Sequence, residues 1–158
     1  MTRRSRLKAY VGFVLLAEAV GALSGWLTRN GMEQYSRTVQ KPPLTPPDAV
    51  FPIVWGILFL LMGIGAARVY LSGGPGTRRA LLLFTAQLAF NFVWSILFFN
   101  LQAFGVAFFW LILLWVLIFM MTLAFYRVDR PAAWMQMPYL LWVAFAGYLN
   151  CAVWMLNR

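Results

Sequence analysis

The chain has 158 residues, of which 63% are hydrophobic and 11% charged, with a mean hydropathy of +0.75 and a net charge of +9. That much apolar surface does not fit inside one water-soluble domain of ordinary composition, so the chain belongs in a bilayer. The thirteen basic residues are dispersed in short gaps between apolar runs. This argues against a nucleic-acid interface and for membrane topology and lipid headgroup contact. There is no histidine, and of the four acidic residues only Glu18 lies inside an apolar segment. The usual zinc sites, His-ligated haem sites and imidazole-based triads are therefore removed, and no metal or cofactor is expected. The single cysteine, Cys151, excludes an intrachain disulfide and reads as a small apolar residue within a span.

A bilayer core takes about 20 apolar residues per helix. Five windows qualify: 7–28, 49–71, 79–99, 103–126 and 132–155. The expected fold is all-α, a single membrane domain over 1–158 built as a five-transmembrane-helix bundle with a capping first loop. The first window opens with "RRSRLK", as a secretory signal does, but it is span-length and lacks a clear small-x-small cleavage site, so it reads as a retained helix. Within it Ala17, Gly21 and Gly25 recur every four residues, a spacing that lets helix backbones approach closely within the chain or between subunits. Glu18, the one carboxylate at depth, is a functional or structural polar node with no second carboxylate beside it for acid–base pairing.

The loop before the second window reads "KPPLTPPD". Its prolines fix their own φ and bias the preceding residues toward extended backbone, so Lys41, Pro42, Pro43, Leu44, Pro46 and Pro47 form a stiff segment suited to a lid. A simple helix start at Pro47 or Pro52 is the other reading. In the third window Gln87 and Asn91 share a helical face that Trp94 and Ser95 continue. Amides at this depth need a bond to another helix or to a ligand, and both remain open. In the fifth window Trp142, Ala146 and Asn150 share a face on which a small residue leaves room beside a flat ring.

Eight tryptophans fall into two groups. Trp26, Trp134 and Trp154 lie near span ends, where an interfacial belt accounts for them. Trp55, Trp94, Trp110, Trp115 and Trp142 lie deeper, where each N–H wants an acceptor and several flat rings can line a cavity. An odd number of spans puts the termini on opposite sides. One side carries nine bases (Arg3, Arg4, Arg6, Lys8, Arg68, Arg78, Arg79, Arg127, Arg130) and the other four (Arg29, Arg37, Lys41, Arg158). In a plasma membrane this places the N-terminus in the cytoplasm and the C-terminus outside. An outer membrane is the alternative host, where the charge rule does not apply simply.

The blocks "AEAVGALSG", "KPPLTPP" followed by "VFPIVW" and "LMG", "QLAFNFVWSILFF" and "PYLLWVAFAGYLN" resemble, in order and spacing, the translocator protein family, also called TspO/MBR, tryptophan-rich sensory proteins or peripheral benzodiazepine receptors. The resemblance covers nearly the whole chain. It implies a five-helix bundle, usually a homodimer, whose first loop caps a pocket for flat hydrophobic molecules, above all porphyrins and other tetrapyrroles. The pocket positions it implies are Trp55, Phe59, Asn91, Trp94, Trp142 and Ala146. Some bacterial members degrade protoporphyrin in light, and the catalytic positions implied for that reaction are Trp55 and Trp142.

Three departures bear on these expectations. Leu44 and Ala49 stand where the family often has tryptophan, and its "WY" pair reads Tyr35 and Ser36, which thins the aromatic roof and argues against photochemistry. The sterol-recognition positions of animal members are Cys151 and Met155, so sterol binding by that motif is not expected. Three functions compete: a porphyrin-binding protein for sensing, trafficking or regulation; a light-dependent porphyrin-degrading enzyme; and a carrier coupled through Glu18. The carrier is disfavoured by the lack of repeated halves.

Overall fold

The computed structural model describes residues 1–158. Its helices are α1 (Arg3–Leu27), α2 (Arg29–Thr38), α3 (Val50–Ser72), α4 (Thr77–Ser95), α5 (Phe104–Val128), α6 (Arg130–Trp134) and α7 (Met137–Leu156), and a π-helical turn over Ile96–Asn100 prolongs α4. Five units are long and apolar enough to cross a membrane: α1, α3, α4 with its π turn, α5, and α6 with α7. There is no strand, and the chain forms the expected bundle of a multi-pass membrane protein.

Two elements differ from the sequence expectation. The first loop is not irregular throughout, because α2 fills its first half. The Arg37–Glu33 ion pair spans one turn of α2, and the Tyr35 ring packs on Phe98 and Phe99 at 5.3 and 5.4 Å between centroids, so tertiary contact holds a segment too polar to cross a membrane. The fifth window is also interrupted. Asp129 caps α6 by accepting from the Ala132 N–H at 3.1 Å, and Pro131 and Pro138 each sit in a helix's first turn, where a missing N–H costs nothing. Two helix starts so close together leave a break at Gln136, whose amide donates to the carbonyls of Leu61 and Ala132 at 3.2 Å each. Arg68, near the end of the expected 49–71 span, lies within α3 and forks onto Asp129 at 2.7 and 3.3 Å.

α1 lies against α3, while α5 packs on both α4 and α7. Close approach of α1 and α3 depends on absent side chains. A Cβ on Gly63 would stand 2.5 Å from the Val14 Cα, and one on Gly21 would meet the Phe59 ring at 2.6 Å. Ala17 is fully buried on the same face, so Ala17 and Gly21 serve packing within the chain, whereas Gly25 has nothing within 4 Å of its Cβ position. Inside a bilayer such contacts work through dispersion and not through exclusion of water. α3 ends on Gly73 with φ +62, a left-handed cap that glycine adopts without strain.

The backbone of α7 scarcely comes within 8 Å of either α3 or α4; side chains bridge it to α4, whereas a crevice opens between it and α3.

Candidate functional site between α3 and α7

The deep amides of α4 are spent on α7. Tyr139 donates its hydroxyl to Gln87 Oε1 at 2.7 Å and accepts from Asn91 Nδ2 at 2.7 Å. One layer further on, the Trp94 N–H donates to Asn150 Oδ1 at 3.0 Å, and Asn150 Nδ2 donates to the Phe104 carbonyl at 2.8 Å. All five side chains are buried. Each bond removes a polar group that hydrocarbon would leave unsatisfied, so these residues hold α4, α5 and α7 in register. Asn91 and Trp94, both implied by the resemblance as pocket positions, therefore have their donors engaged within the scaffold.

The gap between α3 and α7 has the opposite character. Val54, Ile57 and Leu58 form one wall and Pro138, Leu141, Trp142 and Phe145 the other, around about 350 Å³ that opens outward between the helices. This volume is at the lower end for small-molecule sites, and its lining is apolar and aromatic as such sites are. Phe51 meets the Trp142 ring edge-on at 5.8 Å, and Phe145 lies 5.6 Å from it on the other side. Trp55 stands against Tyr139 at 6.2 Å and Phe59 at 5.7 Å. The Trp142 N–H is buried and has no hydrogen-bond partner. A buried donor without an acceptor costs about 1–3 kcal/mol, a cost that a ligand oxygen or nitrogen would remove.

Of the six pocket positions, only Trp142 lines this crevice, half-buried; Trp55, also half-buried, packs on Tyr139 and Phe59 without lining it, Phe59 is buried, and Ala146 is buried one turn beyond Trp142. Phe51 and Tyr139 belong to the same surroundings and were missed from the sequence. The signal was there, since Phe51 is four residues before Trp55 and Tyr139 three before Trp142, each pair on one helical face.

The proline segment is tied down at the end of the bundle that holds the C-terminus. Gln40 and Asn157 exchange two hydrogen bonds of 2.9 and 2.8 Å, and Tyr148 of α7 donates to the Pro43 carbonyl at 2.9 Å. Lys41 donates to the Ser36 and Val39 carbonyls at 2.9 and 3.2 Å, closing the C-terminus of α2, and its ammonium lies 5.0 Å from the Tyr35 ring. Burial, then the nearby Asp48 carboxylate, push the Tyr35 phenol up to about 12, so the ring stays neutral across the physiological range. Pro42 is buried, Pro46 half-buried, and Pro43 and Pro47 exposed. Leu44 has φ +71 and is 78% exposed, so its side chain points away from the bundle and roofs nothing. The Pro47 carbonyl also accepts the Val50 N–H at 3.0 Å, so the segment starts α3 as well as crossing the bundle end.

The remaining tryptophans are accounted for by packing. Trp110 and Trp115 donate to the Phe90 and Leu140 carbonyls at 2.8 and 3.0 Å. Trp26 and Trp134 are exposed at helix ends, but Trp154, expected in the interfacial belt, packs its ring over Gly105 and beside Phe108. A larger groove of about 510 Å³ runs between α5 and α7 past Trp115, Gly147 and half-buried Cys151, but it holds no unpaired polar group. No three His, Cys, Asp or Glu side chains converge anywhere in the bundle.

The profile of the TspO/MBR family matches residues 13–155. The chain is 40% identical to the tryptophan-rich protein TspO of Chlorobaculum tepidum over 90% of its own length and 91% of the relative's. It is 35% identical to the translocator protein of Bos taurus over 94% and 89%, and 37% identical to protein CrtK of Rhodobacter capsulatus over 76% of each. Coverage from the first helix to the last, at these identities and with five membrane-length helices, establishes that the chain belongs to the TspO/MBR family.

Proposed function

We propose that this membrane protein binds flat hydrophobic ligands, porphyrins and related tetrapyrroles first among them, in the crevice between α3 and α7, for sensing, trafficking or regulation of tetrapyrroles. The observation that carries the reading is the buried, unpartnered Trp142 N–H beside an apolar crevice edged by Phe51 and Phe145. Flat aromatic walls suit a planar macrocycle by stacking, and one directed donor fixes its orientation. A tetrapyrrole is larger than the crevice, so it extends outward between the helices or beneath the proline segment. Lys41, Pro42, Pro43, Leu44, Pro46 and Pro47 act in this reading as a lid tied through Asn157 and Tyr148.

A second reading is favoured by Trp142, an oxidisable ring lining the crevice, with Trp55 held nearby against Tyr139: light-driven breakdown of bound protoporphyrin. The carrier reading lacks such support, because Glu18 lies on α1, which packs on α3 through Gly63 and Phe59, away from the crevice wall of Val54 and Leu58. The homodimer implied by the resemblance belongs to the proposal, as does an N-terminus in the cytoplasm and a C-terminus outside.

Titration of purified protein with protoporphyrin, read by tryptophan quenching in the dark and by porphyrin absorbance under light, tests both readings. Saturable quenching in the micromolar range, about −8 kcal/mol, is expected. A linear response equal to that of empty micelles would refute binding, and stable absorbance under light would refute the enzyme.

A further inference from the structure

Seven residues line the crevice between α3 and α7, and Trp142 alone among them has a side-chain nitrogen, oxygen or sulfur atom. That atom is an N–H, a donor that cannot ligate a metal. The hydroxyls near it are engaged: Tyr139 bonds Gln87 and Asn91, and Tyr148 donates to the Pro43 carbonyl. Gln136 is fully buried, with its amide over Gly65 of α3, and lies outside the lining. Cys151 belongs to the groove on the α5 side of α7. Met137, next to Pro138, offers a soft thioether, a poor ligand for a hard trivalent ion. Charged groups stand away from the crevice as well. Arg68 lies ten residues beyond Leu58 and forks onto Asp129, and Lys41 donates to the Ser36 and Val39 carbonyls. Glu18 is carried by α1, which packs on the Phe59 and Gly63 face of α3, opposite the face of Val54 and Leu58.

From these observations we propose that the crevice selects metal-free macrocycles and rejects those that hold a trivalent metal. The inference rests on the tetrapyrrole reading above and adds a selection which that reading does not contain. A trivalent ion in a dianionic macrocycle leaves one positive charge at the ring centre and axial positions to fill. Water or a small anion fills them in solution; the crevice supplies no side chain that does, and hydrocarbon supplies nothing. Taking an uncompensated charge out of water costs more than stacking on Trp142 and Phe145 returns. A metal-free macrocycle is neutral at its centre and needs no axial ligand. Its imine nitrogens also keep the lone pairs that a metal would occupy, and these are acceptors for the unpartnered Trp142 N–H. Both forms carry the same propionates, which stay at the outward side of the crevice and cancel in the comparison.

Protoporphyrin and its gallium(III) complex, which share every peripheral group, are titrated in the dark into purified protein in micelles and into empty micelles. The parent should bind protoporphyrin saturably and the gallium(III) complex at least about tenfold more weakly. Ile57→His and Leu141→His stand on opposite walls, at positions exposed enough to take a polar side chain, and each supplies an axial imidazole. In variants that keep the parent's unfolding midpoint, iron(III) protoporphyrin should show a saturable Soret shift that the parent does not produce. Equal affinity of the parent for the two forms, or a saturable Soret shift with the parent, overturns the selection and leaves tetrapyrrole binding standing. Failure of both histidine variants to shift the iron(III) band overturns it too, because the ring centre then lies outside the crevice. No saturable binding of either form by the parent overturns the reading beneath and the selection with it.

Discussion

The two interfaces that α7 makes inside this bundle are chemically opposed. Toward α4 and α5 it meets a ladder of amides, a phenol and an indole whose bonds run from Gln87 through Tyr139 to Asn91, and from Trp94 through Asn150 to Phe104. Toward α3 it meets an apolar crevice lined in part by Trp142, whose buried N–H has no acceptor. A polar residue inside a membrane segment is commonly taken as a sign of a binding site. Here the five polar side chains joining α7 to α4 and α5 are bonded to one another or to backbone, and the proposed site rests instead on the donor left unbonded, the Trp142 N–H.

Substitutions on the two sides should separate stability from binding. The largest effect is expected for Asn150→Leu, which strands the Trp94 N–H and removes the tie from α7 to the Phe104 carbonyl; thermal or denaturant unfolding in detergent should show a loss of about 1–3 kcal/mol. Next, Ile57→Trp fills the crevice from the α3 side, and protoporphyrin affinity should fall by about tenfold or more while the unfolding midpoint barely moves. Trp142→Phe keeps most of the ring contact and deletes the donor, so affinity should fall roughly 3- to 10-fold. Any light-driven bleaching should fall further, because the oxidisable ring is gone. The smallest effect belongs to the lid: Asn157→Ala or alanines at Pro42, Pro43, Pro46 and Pro47 should speed release about two- to fivefold in stopped-flow measurements, through lost preorganisation. Unchanged release would leave the segment as a start for α3 and nothing more.

Much of this architecture was legible in the residues. Apolar runs of span length admit only helices in lipid, so five crossings followed from hydropathy alone. The breaks were harder. α2 is too polar and short to announce itself, and it persists because Tyr35 docks on Phe98 and Phe99, a contact between residues more than sixty apart. The interruption at Gln136 was signalled by Pro131 and Pro138, each a favoured first-turn residue, but hydropathy averaged over a window passes across it. In the candidate site, the sequence brought Gln87, Asn91, Trp94, Trp142 and Asn150 into view without showing which were bonded to each other. Spacing along one helix places residues on a face; it does not say which helix that face meets. Tyr139, Tyr148 and Asn157 went unremarked for the same reason, since each acts through a partner distant in sequence.

The most direct measurement pairs Trp94→Phe with Trp142→Phe and reads protoporphyrin affinity and unfolding midpoint on both. Both changes delete an indole N–H, one bonded to Asn150 and one bonded to nothing. If the unbonded donor marks the site, Trp94→Phe lowers the midpoint and leaves affinity near that of the parent, while Trp142→Phe lowers affinity and does not lower the midpoint. Equal losses of affinity in the two variants, or a loss confined to Trp94→Phe, would contradict the account and move the ligand to the α4–α7 interface.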